Sequence, residues 1–257
     1  MASFESYVEP ELLALDLSEN KMSSILEFAR LKNSEYLNNN PYPHIVIDNF
    51  FPDKILREVA QEIEEKKEYD GKRMNNTTLN KFTLSDLSRM GPYSRRLLQD
   101  MNSSQFCKFI EELTGFSGII PDPHLFGGGI HEIKAGGFLK VHADFNYHKK
   151  LDVHRRVNCL LYLNEGWKEE WGGHIELWDR DVKKKVAAAA PIFNRMVLFS
   201  TTEYSYHGHP DPIDCPDDQS RKSLALYYYT SSRDEGEIES VRIDTDYQNR
   251  PGENAIV

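Results

Sequence analysis

The sequence predicts an α+β fold in which helices come first and an antiparallel β core follows. Two observations carry this. Apolar residues recur with a helical period only before residue 115, and from residue 127 onward the pattern changes to short β-branched and aromatic runs broken by Gly, Asn, Asp and Pro. Regular short strands with turn signals point to an antiparallel sandwich or barrel. A chain of 257 residues can bury one sizeable core, so a single domain is expected over 1–257. Residues 1–125 would supply mainly helical support and a first strand, 126–231 the β core, and 232–257 a tail.

Met22, Ile25, Leu26, Phe28 and Ala29 give a partly helical period over 22–31, ahead of the polar stretch NNNPYP. HIVIDNFF at 44–51 alternates and is β-branched, which predicts a strand. After Pro52, Ile55, Leu56, Val59 and Ile63 fall on one face of a helix over 53–67. Residues 69–87 are polar and contain NNTT, and read as a long loop able to move over a site. Helices follow over 93–101 and 104–114, the second carrying Phe106, Phe109, Ile110 and Leu113 on one face and ending near Gly115. The strand candidates are GGIHEIK, FLKVHAD, VNCLLYLN, GHIELWD, VAAAA, RMVLFS and SLALYYYT.

Thirteen Tyr, 13 Phe and 3 Trp argue against a wholly disordered chain. A net charge of −10, with acidic residues spread along the sequence, argues against a phosphate backbone as partner, and no nucleic acid is expected. Lys149, Lys150, Arg155 and Arg156 form a short basic patch, read as a solvated loop. Three widely spaced cysteines fit neither a disulfide framework nor a paired-cysteine zinc site, and suit a reducing compartment. With no targeting pattern at the start and no run of about eighteen apolar residues, the expected protein is cytoplasmic and has no membrane partner.

Chemistry is concentrated in the β half. His142 and Asp144 stand at i and i+2 in VHADF, so both side chains leave the same face of a strand. His207, in SYHGHP just beyond RMVLFS, supplies a third candidate. Two histidines and one carboxylate on one face of a metal leave three positions open, the arrangement of non-haem iron(II) oxygenases. Arg221 opens the run RKSLALYYYT and offers a planar fork to the distal carboxylate of a dicarboxylate cosubstrate. The plainer reading pairs it with an aspartate of DPIDCPDD.

Taken in order, GGFLKVHAD, RRVNCLLYLNEGW, WGGHIELW, NRMVLFS, the first histidine of SYHGH and RKS resemble the 2-oxoglutarate- and Fe(II)-dependent oxygenase superfamily, in its prolyl hydroxylase branch, over 127–230. The resemblance implies a double-stranded β-helix, or jelly-roll, core flanked by N-terminal helices. It implies iron(II) on His142, Asp144 and His207, 2-oxoglutarate held by Arg221 and Tyr162, O₂ as oxidant, and ascorbate as a candidate reductant. Asn158 is expected to line the cosubstrate pocket. His209 stands where the family usually has an apolar residue, which leaves it as a rival third ligand, with His207 preferred by position. The implied activity is hydroxylation of an unactivated C–H bond; a halogenase is disfavoured because Asp144 fills the position chloride would need.

The substrate expected is a small molecule or amino-acid-derived compound, the alternative being a prolyl residue in a protein or peptide. A different class of answer is a non-catalytic jelly-roll that binds a metal or sugar, and a zinc hydrolase is a third, but neither gives Arg221 a purpose. Trp167, Trp171 and Trp178 read as sheet packing, with one a possible wall of the substrate pocket. His174 reads as a strand histidine, and His131, His148 and His154 as substrate contacts or surface groups.

Overall fold

The computed structural model describes residues 19–65, 74–75, 80–234, 236–237 and 240–253. In chain order the elements are α1 (Glu19–Asn38), β1 (His44–Asp48), α2 (Asp53–Glu65), β2 (Met74–Asn75), β3 (Asn80–Leu84), α3 (Pro92–Met101), α4 (Ser104–Thr114), β4 (Ile120–Pro121), β5 (Gly129–Lys134), β6 (Leu139–Ala143), β7 (Tyr147–His148), β8 (Val153–Tyr162), β9 (Ile175–Trp178), β10 (Lys185–Ala189), β11 (Arg195–Ser200), β12 (His207–His209), β13 (Ser220–Thr230) and β14 (Asp246–Tyr247). They build two antiparallel sheets. The larger runs β1-β11-β8-β13-β5-β3-β2, with β4 and β7 attached at its side, and the smaller runs β10-β9-β12-β6-β14. Two facing antiparallel sheets with helices against one of them are the jelly-roll arrangement.

Helix positions follow from simple local causes. Ser103 caps α4 by accepting from the Phe106 amide, and Gly115 ends it in the left-handed conformation at φ 78°. In α2 the four periodic apolar residues are all buried. The first helix is longer than its apolar period suggests. Polar contacts extend it: Asn33 donates to the Leu113 carbonyl at 3.0 Å, and Tyr36 meets the Ser200 hydroxyl at 2.8 Å. Together the helices cover one face of the larger sheet, where Cys159, Leu161, Met196, Leu198, Leu224 and Leu226 pack against Leu56, Val59, Phe106 and Phe109. The opposite face of the same strands looks toward the smaller sheet.

Three expectations change. The stretch read as a mobile loop contains β3, which pairs with β5 through Phe82↔Glu132, Thr83↔His131 and Leu84↔Ile130; residues 69–73 and 76–79 of it lie outside the described residues. Glycine makes that pairing possible, since a Cβ on Gly129 would stand 2.2 Å from the Leu84 carbonyl oxygen. The tail contributes β14, whose Asp246 and Tyr247 pair with Ala143 and His142. Of the basic patch, Arg155 and Arg156 are buried at 1% and 5% exposure, and only Lys149 and Lys150 are solvated. Their strand, β8, begins earlier than the apolar run that marks it, so a guanidinium that looks like loop in the sequence points into the fold.

Candidate active site

Between the two sheets lies a cavity of about 300 Å³. The larger sheet sends Asn158, Phe199, Arg221 and Tyr227 into it, and the smaller sheet sends His142, His207 and Tyr247. His142 and His207 come together because β6 and β12 pair with these two residues in register, and their rings lie 4.3 Å apart between centroids. Asp144, immediately after β6, faces both: Oδ1 is 3.4 Å from His142 Nε2 and Oδ2 is 3.3 Å from His207 Nε2. Ligand atoms of the three residues all fall within 4.8 Å of one another, which is the spacing of groups around a single ion.

The surroundings orient these groups as metal ligands require. His142 Nδ1 lies 2.8 Å from the Lys140 carbonyl oxygen and His207 Nδ1 lies 2.9 Å from that of Ser205. Nδ1 donating to a carbonyl leaves the Nε2 lone pair free to face the ion. Burial lowers the His142 imidazole below its ordinary value, with neighbouring His207 adding to the effect, so the neutral, ligating form is favoured at neutral pH. On Asp144, burial pushes the carboxyl up, but the Arg155 guanidinium and then the two imidazoles outweigh it and hold the group well below the usual carboxylate range.

Arg155 is the group that the sequence reading missed. Its Nη2 donates to Asp144 Oδ2 at 2.9 Å and its Nε donates to Asn158 Oδ1 at 2.7 Å. The guanidinium lies over the rings of Tyr227 and Phe145, at 3.4 and 4.5 Å from their centroids, where cation–π attraction offsets part of its desolvation. Asn158 lines the cavity, yet its amide donates to Asp144 Oδ2 at 2.6 Å. Its observed role is therefore to fix the carboxylate. With Oδ2 taken by these two donors, Oδ1 is the oxygen left for an ion.

Arg221 lies at the other end of the cavity, on β13. Its Nε donates to the Gly173 carbonyl at 2.7 Å and its Nη2 to the Tyr162 hydroxyl at 3.0 Å. No carboxylate approaches it among the described residues, so the pairing with DPIDCPDD is not made. Tyr162 is fully buried and stands behind Arg221, outside the cavity lining. His209 points into the cavity with both ring nitrogens unbonded, outside the metal cluster. His131 also lines the cavity, while His148 is packed against Phe126 at 4.8 Å between ring centroids. His174 bonds Glu169 at 2.8 Å away from the site. The tryptophans pack structurally: Trp167 and Trp171 meet edge to face, and Trp178 sits against Val141 and Val182.

A jelly-roll with two imidazoles, a carboxylate and an opposed buried guanidinium defines an oxygenase-type centre, and comparison with known proteins agrees. Residues 128–229 match the model of the 2OG-Fe(II) oxygenase superfamily. The prolyl 3,4-dihydroxylase OGFOD1 of Ostreococcus tauri is 24% identical over 234 residues, covering 82% of this chain and 42% of that protein. The chain thus spans well under half the length of the curated relatives it matches. Among solved structures, a Trichoplax adhaerens prolyl hydroxylase in complex with a hypoxia inducible factor peptide aligns with a TM-score of 0.58 at 18% identity, over 82% of this chain and 93% of that one. HygX of Streptomyces hygroscopicus, with nickel and 2-oxoglutarate bound, aligns with a TM-score of 0.52 at 12% identity, over 79% and 92%. Over residues 128–229 the chain is similar to the 2-oxoglutarate- and iron(II)-dependent oxygenase superfamily, and its named relatives in sequence are prolyl hydroxylases. The donor set suits that superfamily's metal and cosubstrate: a hard carboxylate with two borderline imidazoles for iron(II), and a buried planar cation for a dicarboxylate. Among the described residues no helix is long and apolar enough to cross a membrane.

Proposed function

We propose that the chain is an Fe(II)- and 2-oxoglutarate-dependent dioxygenase that hydroxylates an unactivated C–H bond, with a prolyl ring as the first substrate class to test. The observation that carries this reading is the convergence of His142, Asp144 and His207 on one point of a cavity whose opposite end holds Arg221. In this reading those three residues hold the iron, and Arg221, steadied by Tyr162 and the Gly173 carbonyl, takes the far carboxylate of 2-oxoglutarate. Arg155 and Asn158 keep Asp144 ionised and aimed. Bound iron and cosubstrate would supply O₂ activation coupled to decarboxylation to succinate; the protein's part is orientation and exclusion of competing reactions.

Names of the relatives favour a prolyl substrate, peptidyl or free, over the broader small-molecule expectation. HygX, solved with hygromycin B bound, keeps small molecules in view on the same scaffold. A reducing compartment such as the cytoplasm suits the three buried free cysteines. Anaerobic addition of Fe(II) and then 2-oxoglutarate is expected to produce the visible charge-transfer band of the chelate. Asp144→Ala should remove the band and all product. A wild-type protein that gives no band and instead binds zinc tightly would count against the oxygenase reading.

A further inference from the structure

The cavity carries one charge that the proposed chemistry does not use. On a chain of net charge −10, the cavity lining contains Lys81, Arg155 and Arg221 against a single carboxylate, Asp144. Arg155 is matched by Asp144, and Arg221 by one end of a dicarboxylate cosubstrate. The other end of that cosubstrate and the metal's own charge leave no anion over. Among the described residues, no hydrogen bond or ion pair is made by Lys81. It comes from β3, one residue beyond the Phe82↔Glu132 pair, which sets it beside Ile133, itself paired with Arg221. Lys81 therefore shares the inward-facing row of the larger sheet with Arg221, from the strand two places farther toward the edge. Asp144, Arg155 and Arg221 all act on its charge, and all four groups line the same cavity. Thr83 and Ser85 continue the same wall of the cavity.

We propose that Lys81 docks a carboxylate of the substrate, so that the enzyme selects compounds bearing an anion that enters the same cavity as the C–H bond that is attacked. A lone ammonium flanked by hydroxyl-bearing residues matches a monoanionic carboxylate, and a half-buried ammonium without a counter-ion that shares its cavity with two guanidinium groups is stabilised when such a ligand arrives. The carboxylate has two sources: the substrate's own, as in a free amino acid or a chain end, or an acidic side chain next to the target in a peptide. This inference rests on the oxygenase reading above.

Calorimetric titration of protein loaded with Zn(II) and 2-oxoglutarate tests it without turnover. The probes are N-acetylproline, N-acetylprolinamide and N-acetylglutamylprolinamide. At least one acid-bearing probe is expected to bind about tenfold more tightly than the neutral amide. N-acetylproline winning identifies the substrate's own carboxylate, and the glutamyl compound winning identifies a neighbouring acidic side chain. Lys81→Met should erase the preference and Lys81→Arg should keep part of it, with 2-oxoglutarate affinity within about twofold of wild type in both. Equal binding of acids and amide, no binding by either acid, a preference that survives Lys81→Met, or a Lys81→Met protein that loses 2-oxoglutarate would each overturn the assignment. Failure of the wild type to bind 2-oxoglutarate strikes the oxygenase reading itself.

Discussion

The two faces of the larger sheet are built from the same strands and do opposite work. On β8, Cys159 and Leu161 face the helices, while Asn158, Leu160 and Tyr162 face the smaller sheet; on β13, Leu224, Leu226 and Tyr228 face the helices, while Arg221, Ser223 and Tyr227 face the cavity. The helix face is continuous, apolar and tied down by contacts such as the Tyr228 hydroxyl donating to the Met101 carbonyl at 2.8 Å. The cavity face holds guanidinium, amide and hydroxyl groups whose burial opposes folding unless each finds a partner. Period-two alternation lets one strand supply rigidity on one side and reactive groups on the other, and the apolar side fixes the strand positions that set distances on the polar side.

If this division holds, a change on one face should spare the property of the other. Leu161→Ala, on the helix face and fully buried, should cost about 2–5 kcal/mol of stability. In chemical denaturation the midpoint should fall, and 2-oxoglutarate affinity below the transition should be unchanged. Arg221→Met, on the cavity face, should do the reverse. Cosubstrate affinity should weaken by about 1.5–3 kcal/mol, on the scale of a charge-assisted hydrogen bond, with stability equal to or above wild type because a buried cation with no carboxylate partner has been removed. Equal cosubstrate affinity in this variant would contradict the role given to Arg221.

The smallest effect is a pH dependence. Burial is the main cause holding His131 well below its ordinary value, with the nearby Lys81 charge adding to it. The folded protein therefore keeps His131 neutral where the unfolded chain would protonate it, and unfolding takes up a proton. Stability should rise with pH through the region just below pH 6.5, with a contribution from this residue of up to about 1.4 kcal/mol per pH unit. Comparing denaturation of the metal-free protein at pH 5.5 and 7.5 in wild type and His131→Leu isolates it: the variant should show the shallower dependence.

Much of the fold is legible in the sequence because long periodic segments report their own burial. The face of α2 and the bounds of α4 can be read directly from apolar spacing and from the Ser103 and Gly115 signals. Short elements cannot be read this way. β12 spans three residues and β14 two, too few for a period, and both are held in place by register with β6 rather than by local preference. The metal cluster is legible because i and i+2 positions on a strand share a face, and His207 follows a clear strand. Arg155 and Lys81 escape notice for a different reason. Charge in a sequence is ordinarily a sign of solvent, and only the three-dimensional partners, Asp144 and the rings of Tyr227 and Phe145 for Arg155, show that a cation is buried on purpose.

The pairing of β14 with β6 sets a schedule on biosynthesis. His142 leaves the ribosome long before Tyr247, and until residue 247 emerges β6 is an uncovered edge strand, with one side of the His142 ring lacking the tyrosine that finally packs 5.5 Å from it. The wall beside the candidate metal centre is thus closed only after the strands that carry His142, Asp144 and His207 have been made. Variants that shorten or crowd the residues around 247 should accordingly be recovered folded but poorly metallated.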